Sequence, residues 1–227
     1  LDGPMNSIVA MDGPSGSGKS TTARLVAERL GYQYLDTGAM YRGVAVACLQ
    51  AGVDRDDAAA IARICRRVRL DLTTDPGPQR LLVDDVDVTA RIRTPEVSAW
   101  VSTVATNADC RADLVRRQQQ IITGGRFVIE GRDTTTVVAP DAAVRVLLVA
   151  DPQRRMARRN AELGGILDEA ALRDQTLRRD QDDSTLVNFT EAAPGVHLID
   201  STELSLEQVV EQGLGLARAG GLATPLN

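Results

Sequence analysis

Lys19 is the only lysine in the chain; every other one of its 26 basic side chains is arginine. It stands in Gly13-Pro14-Ser15-Gly16-Ser17-Gly18-Lys19-Ser20, with Thr21 next in line. That spacing matches Gly-x-x-x-x-Gly-Lys-[Ser/Thr], in which glycine-rich backbone turns N–H groups toward phosphate oxygens. The lysine then reaches the β and γ phosphates, and the following hydroxyl binds Mg²⁺. The chemistry on offer is the binding of a nucleoside triphosphate such as ATP. Arginines are gathered where a donor and a phosphorylated acceptor would both need planar, bidentate phosphate ligands. Arg42 and Arg132 each follow a strand, Arg155, Arg158 and Arg159 share one helical face at i, i+3, i+4, and Arg178 and Arg179 close that segment. Glu130 closes an apolar run and is the acid placed to help hold Mg²⁺ together with Ser20, with Asp12 and Asp36 as competitors.

The flanking elements fit a phosphate loop. Ser7-Ile8-Val9-Ala10-Met11 reads as a strand buried on both faces, and Ala23, Val26, Ala27 and Leu30 form one helix stripe stopped by Gly31. A flexible Gly/Ser linker would explain the glycines, but not these neighbours or the placement of the one lysine. Tyr32 to Asp36 reads as a second strand, followed by a helix over 39–51. Strand and helix alternate again at Phe127 to Glu130, Val144 to Ala150 and Val196 to Asp200, before a last helix capped by Ser205 with Gln208. Five core strands in this rhythm predict an α/β fold with a parallel sheet flanked by helices, its ligand site beyond the carboxyl ends of the strands.

Between about 54 and 125 the texture changes. A helix over 56–69 precedes short alternating strands at 68–72, 80–83 and 87–88, then helix resumes at Thr94 and runs through Trp100 to Gln120. This reads as an inserted lobe with Trp100 as a core anchor. Met5 reads as a natural start, with residues 1–4 set aside as a cloning remnant.

Composition excludes several classes. With 43% hydrophobic and 25% charged residues the chain is globular, and no apolar run is long enough to span a membrane. A net charge of −5 gives no general reason to expect nucleic acid or membrane as partner. Cys48, Cys65 and Cys110 are far apart and odd in number, so the expectation is buried thiols in a reducing cytoplasm. His197, the one histidine, lies in an apolar run and reads as structural. A GTPase switch is excluded by the lack of a second lysine for an Asn-Lys-x-Asp segment.

Several stretches together resemble the bacterial cytidylate kinases. They are Asp12 to Ser20, Leu35-Asp-Thr-Gly-Ala-Met-Tyr-Arg42, Ile92-Arg-Thr-Pro-Glu-Val97, Glu130-Gly-Arg-Asp133 with Val137 to Ala142, and Arg178-Arg-Asp-Gln-Asp-Asp-Ser184. The resemblance implies a P-loop kinase fold with core at 5–38, 126–150 and 186–227, an acceptor-binding lobe at 39–125 and a lid at 151–185. It implies transfer of the γ-phosphate of ATP to CMP or dCMP by a cytoplasmic monomer. Arg42, Arg132 and Arg179 would hold the acceptor phosphate and Asp183 the ribose. Thr37 would line the acceptor site, and Ser102, Arg111 and Asp133 would read the cytosine edge. Lys19, Arg155 and Arg159 would stabilise the migrating phosphoryl group. The chain departs from the family pattern at Leu186, where an acceptor-site arginine is usual, at Thr134-Thr135-Thr136 in place of Ile-Gly-Thr, and at Ala139 in place of Phe. These departures point to altered acceptor affinity or preference; a kinase of UMP or another acceptor, or a nucleotide-binding homologue without transfer activity, is the alternative.

Overall fold

The computed structural model of the chain describes residues 7–162 and 191–222. Arg178, Arg179, Asp183 and Leu186 lie outside the described residues. Five parallel strands form the central sheet: β1 (Ile8–Asp12), β2 (Gln33–Asp36), β6 (Phe127–Gly131), β7 (Val144–Val149) and β8 (His197–Asp200), in the order β2-β6-β1-β7-β8. The register pairs Asp12 with Gly131 and Leu147, and Asp36 with Glu130. Three acids of the sequence, Asp12, Asp36 and Glu130, thereby meet at the carboxyl ends of the strands.

Because side chains alternate across a strand, β1 divides its residues between two apolar layers. Val9 and Met11 pack with α1 (Lys19–Leu30) and α7 (Leu206–Ala219), whereas Ile8 and Ala10 face α2 (Thr37–Gln50) and the lobe beyond it. The predicted stripe of α1 is completely buried, and Gly31 ends the helix in the left-handed region at φ 65°, its N–H reaching Ala27 O and Glu28 O.

The segment between β2 and β6 contains α3 (Ala58–Arg67), an antiparallel sheet of β3 (Leu70–Leu72), β4 (Leu81–Val83) and β5 (Val86–Asp87), and helices α4 (Pro95–Thr106) and α5 (Ala108–Ile122). Its small sheet lies on α2 at Gly43, where a Cβ would come within 2.8 Å of Leu70 and 3.1 Å of Leu81. One apolar layer runs unbroken from Ile8 and Ile129 through Met40 and Val44 to Leu81, Trp100 and Leu114. Trp100 is the buried anchor expected of it, with the Arg55 guanidinium 5.0 Å from its ring.

Three boundaries differ from the sequence reading. The helix expected from Thr94 to Gln120 is two helices, broken at Asn107, whose Oδ1 accepts from Cys110 N at 3.0 Å and caps α5. The helix expected over 56–69 is shortened to α3 by Asp57 at its start and by Arg117 at its end, which donates to Cys65 O, Arg66 O and Val68 O. The helix expected from residue 39 begins at Thr37, because Asp36 accepts from Ala39 N and caps it. Cys48, Cys65 and Cys110 are free, buried thiols, and His197 sits exposed on β8.

Candidate active site

Residues 13–20 join β1 to α1. Gly16 has φ 74°, and a Cβ there would lie 2.5 Å from Arg155 O, so the turn has neither the conformation nor the room for a side chain. The loop carbonyls are occupied by protein donors. Ser17 N reaches Pro14 O, Arg155 Nη1 reaches Ser15 O at 3.1 Å, and Ser201 Oγ reaches Ser17 O at 3.0 Å. Carbonyl oxygens held in this way are kept from an incoming anion, and the opening turn of α1 brings N–H groups and the positive helix end. Gly13, Pro14, Ser15 and Ser17 are buried or nearly so, and Thr21 is exposed on α1.

The α6 helix (Pro152–Glu162) supplies the bracing arginines. Arg155 is 7% exposed, with Nε on Ala150 O and Nη1 on Ser15 O. Arg158 donates to Ser17 O, Ser201 Oγ and Ser201 O. Ser201, one residue past β8, carried no signal in the sequence; its part depends on β8 lying beside β7.

At the mouth of α1, Ser20 Oγ donates to Glu130 Oε1 at 2.7 Å, Tyr34 Oη donates to the same oxygen at 3.2 Å, and Lys19 Nζ is 4.0 Å from Oε2. Glu130 is 2% exposed, and burial pushes its carboxyl up to about 7; Asp36 adds to the rise, while Lys19, Ser20 and Tyr34 oppose it. Tyr34, held well above its ordinary value by the same burial, was not recognisable from the sequence as a site residue. It pairs in register with Val128, two residues before Glu130, so the two side chains share one sheet face.

The competing acids are otherwise engaged. Asp36 caps α2 and faces Arg93 at 3.9 Å, while Asp12 has both oxygens occupied by Thr134 and Thr135. Ser20 and Glu130 therefore form the oxygen pair suited to Mg²⁺. No cluster of three or more His, Cys, Asp or Glu able to hold a metal occurs among the described residues.

On the other side of the sheet edge, Arg42 is 8% exposed and donates through Nη1 to Ile92 O at 2.6 Å and Ser98 Oγ at 3.0 Å. Burial pushes its guanidinium down to about 10; Asp36 opposes this, and Arg159, Arg93 and Arg132 add to it. It stays charged at neutral pH. Two further expected arginines, Arg132 and Arg159, thus act electrostatically on Arg42, joined by Arg93, which the sequence reading quoted but assigned no role. Asp133 forms a 2.6 Å ion pair with Arg111 of α5, with the half-buried Tyr41 within their field. Thr37 Oγ1 donates to Glu130 O at 2.8 Å, and Ser102 lies half-buried on α4 without a direct bond to Arg111 or Asp133.

A cation, a hydroxyl and a buried acid gathered at a helix N-terminus, on a parallel sheet, define the chain as a P-loop kinase. Two solved structures share the fold over 96% of this chain at a TM-score of 0.51. They are a gluconokinase from Sinorhizobium meliloti 1021, at 15% identity and 96% coverage of that chain, and TT1252 from Thermus thermophilus, at 18% identity and 98% coverage. The sequence relationships are more specific. The family model for cytidylate kinase matches residues 9–219, and the chain belongs to the cytidylate kinase family. The cytidylate kinase of Cutibacterium acnes is 50% identical over 214 residues, covering 92% of this chain and 95% of that protein. That of Pelotomaculum thermopropionicum is 40% identical over 223 residues, covering 95% of this chain and 99% of its own.

Proposed function

We propose that the protein transfers the γ-phosphate of ATP to CMP or dCMP, giving ADP and CDP or dCDP. The observation that carries the acceptor assignment is the Arg111–Asp133 pair, its carboxylate buried two residues past the strand that also supplies Glu130. A carboxylate accepts from the exocyclic amine of cytosine, a group uracil lacks, and the 2.6 Å bond from Arg111 holds that carboxylate in place. Ser102 stands on the neighbouring helix, and Thr37 and Arg42 line the way to the sheet edge. The loop cradles the donor phosphates; Lys19 and Arg159 compensate charge on the equatorial oxygens, with Arg155 acting also through the loop carbonyl it holds. Ser20 and Glu130 would hold Mg²⁺, which when bound neutralises charge across the β and γ phosphates. Arg132, with Arg179 outside the described residues, would bind the acceptor phosphate, and Asp183, also outside them, the ribose.

No helix among the described residues is long and apolar enough to cross a membrane. Three buried free thiols suit a reducing compartment, and a cytoplasmic monomer working on small nucleotides is the accompanying proposal. The test is CMP-dependent release of ADP from ATP and Mg²⁺ in wild type and Asp133→Ala. Turnover of CMP whose advantage over UMP narrows in the variant supports the reading. An unchanged CMP to UMP ratio in Asp133→Ala, or no CMP-dependent ADP, contradicts it.

A further inference from the structure

Asp12 is the last residue of β1, directly before the phosphate loop, yet its side chain does not face the loop. By strand parity it shares a face with Ile8 and Ala10, toward the acceptor side. There its carboxylate is 2% exposed and takes four hydrogen bonds from two consecutive residues. Oδ1 accepts from Thr134 N at 2.8 Å and Thr134 Oγ1 at 2.6 Å. Oδ2 accepts from Thr135 N at 2.8 Å and Thr135 Oγ1 at 2.6 Å. These threonines open the turn over 134–138 that follows Arg132 and Asp133.

We propose that Asp12 is a positioning residue for the acceptor: it fixes Asp133, and with it the base-reading Arg111–Asp133 pair, at a set distance from the phosphate loop. The inference rests on the acceptor assignment made above. The β1 strand carries both ends of this device, because Asp12 is one peptide bond from Gly13 and its carboxylate is bonded to the residue after Asp133. A buried carboxylate is costly unless fully hydrogen-bonded. Here burial raises the Asp12 carboxyl, and the four Thr134 and Thr135 donors work against that rise. The rest of the turn has its own supports, from Val137 N to Asp133 O, from Gln119 Nε2 to Val138 O and from Arg145 Nη1 to Thr135 O. Loss of the threonine hydroxyls would therefore loosen the start of the turn while the backbone N–H bonds and these supports remain.

The test is Thr134→Val/Thr135→Val, with Thr134→Ser/Thr135→Ser as the conservative pair and Asp12→Asn as an independent change on the other partner. Steady-state kinetics with CMP, UMP and ATP are read beside the thermal midpoint of each protein. The valine pair is expected to lose about 10- to 100-fold in kcat/KM for CMP, as a displacement on the order of 1 Å does. Its KM for ATP is expected to stay within about twofold and its CMP over UMP preference to narrow. The serine pair is expected to restore wild-type values, and Asp12→Asn to shift the same parameters further. Valine-pair kinetics equal to wild type overturn the proposal. So does a parallel loss for CMP and ATP that follows the thermal midpoint and is not rescued by serine, because that marks a support of the fold alone. Wild-type protein inert toward CMP would instead overturn the acceptor assignment itself.

Discussion

Replacing Glu130 by Gln should change how stability depends on pH, in a direction set by burial. The Glu130 carboxyl has an ordinary value of 4.5 and is pushed up to about 7 in the folded chain. Between those values the unfolded chain has released the proton and the folded chain still holds it. Raising the pH through that window therefore lowers stability, and the loss is complete above the folded value. The distance between the two values sets an upper bound of about 3.4 kcal/mol on the effect. Gln keeps the size of the side chain and an acceptor for Ser20, but does not titrate. Urea unfolding of wild type and Glu130→Gln, without nucleotide or Mg²⁺, at steps from pH 5.0 to 7.5 gives the difference curve. Wild type should lose up to that amount relative to the variant as pH rises. A flat difference, or one that moves in favour of wild type with rising pH, would refute the assignment of burial as the dominant influence on Glu130.

Three further substitutions have expected outcomes. Gly16→Ala must place a Cβ 2.5 Å from Arg155 O at φ 74°, so nucleotide titration should show ATP affinity reduced at least roughly 10-fold; affinity within twofold of wild type would contradict it. Gly131→Ala brings a Cβ within 2.3 Å of Thr37 Oγ1 and 2.8 Å of Thr134 Cγ2. Overpacking of that kind should cost about 1–3 kcal/mol in urea unfolding and raise the KM for CMP. Leu186→Arg restores the residue usual in the family, and acceptor titration should show a lower KM for CMP; an unchanged KM would mean that the arginine is not needed in this chain.

Much of the donor half is legible from local pattern. The loop spacing, the apolar strand before it and the i, i+3, i+4, i+7 stripe after it are short-range signals, and the structure keeps all three. Parity extends that reach. Met11 faces the α1 layer, so the residue after it faces away, toward the acceptor side; Glu130 follows Ile129 and so faces α1 and Ser20. That distinction places Glu130 beside Ser20 and Asp12 beside Thr134 and Thr135, on opposite faces of the sheet, although both close a buried strand. The four-bond grip on Asp12, the Tyr34 contact to Glu130 and the brace from Ser201 could not be read in this way. They join residues 122, 96 and 184 positions apart, and depend on strand order in the sheet rather than on any local period. The helix break at Asn107 was a local signal of another kind. A capping side chain outweighed a continuous apolar pattern there, and Asn107 also donates to Ala58 O, which ties the break to α3.

The acceptor assignment is tested most directly by kcat/KM for CMP and for UMP on the wild-type protein, side by side, at saturating ATP and Mg²⁺. A buried carboxylate that accepts from the cytosine amine predicts CMP favoured by at least roughly 100-fold. Equal turnover of the two, or UMP preferred, would contradict it.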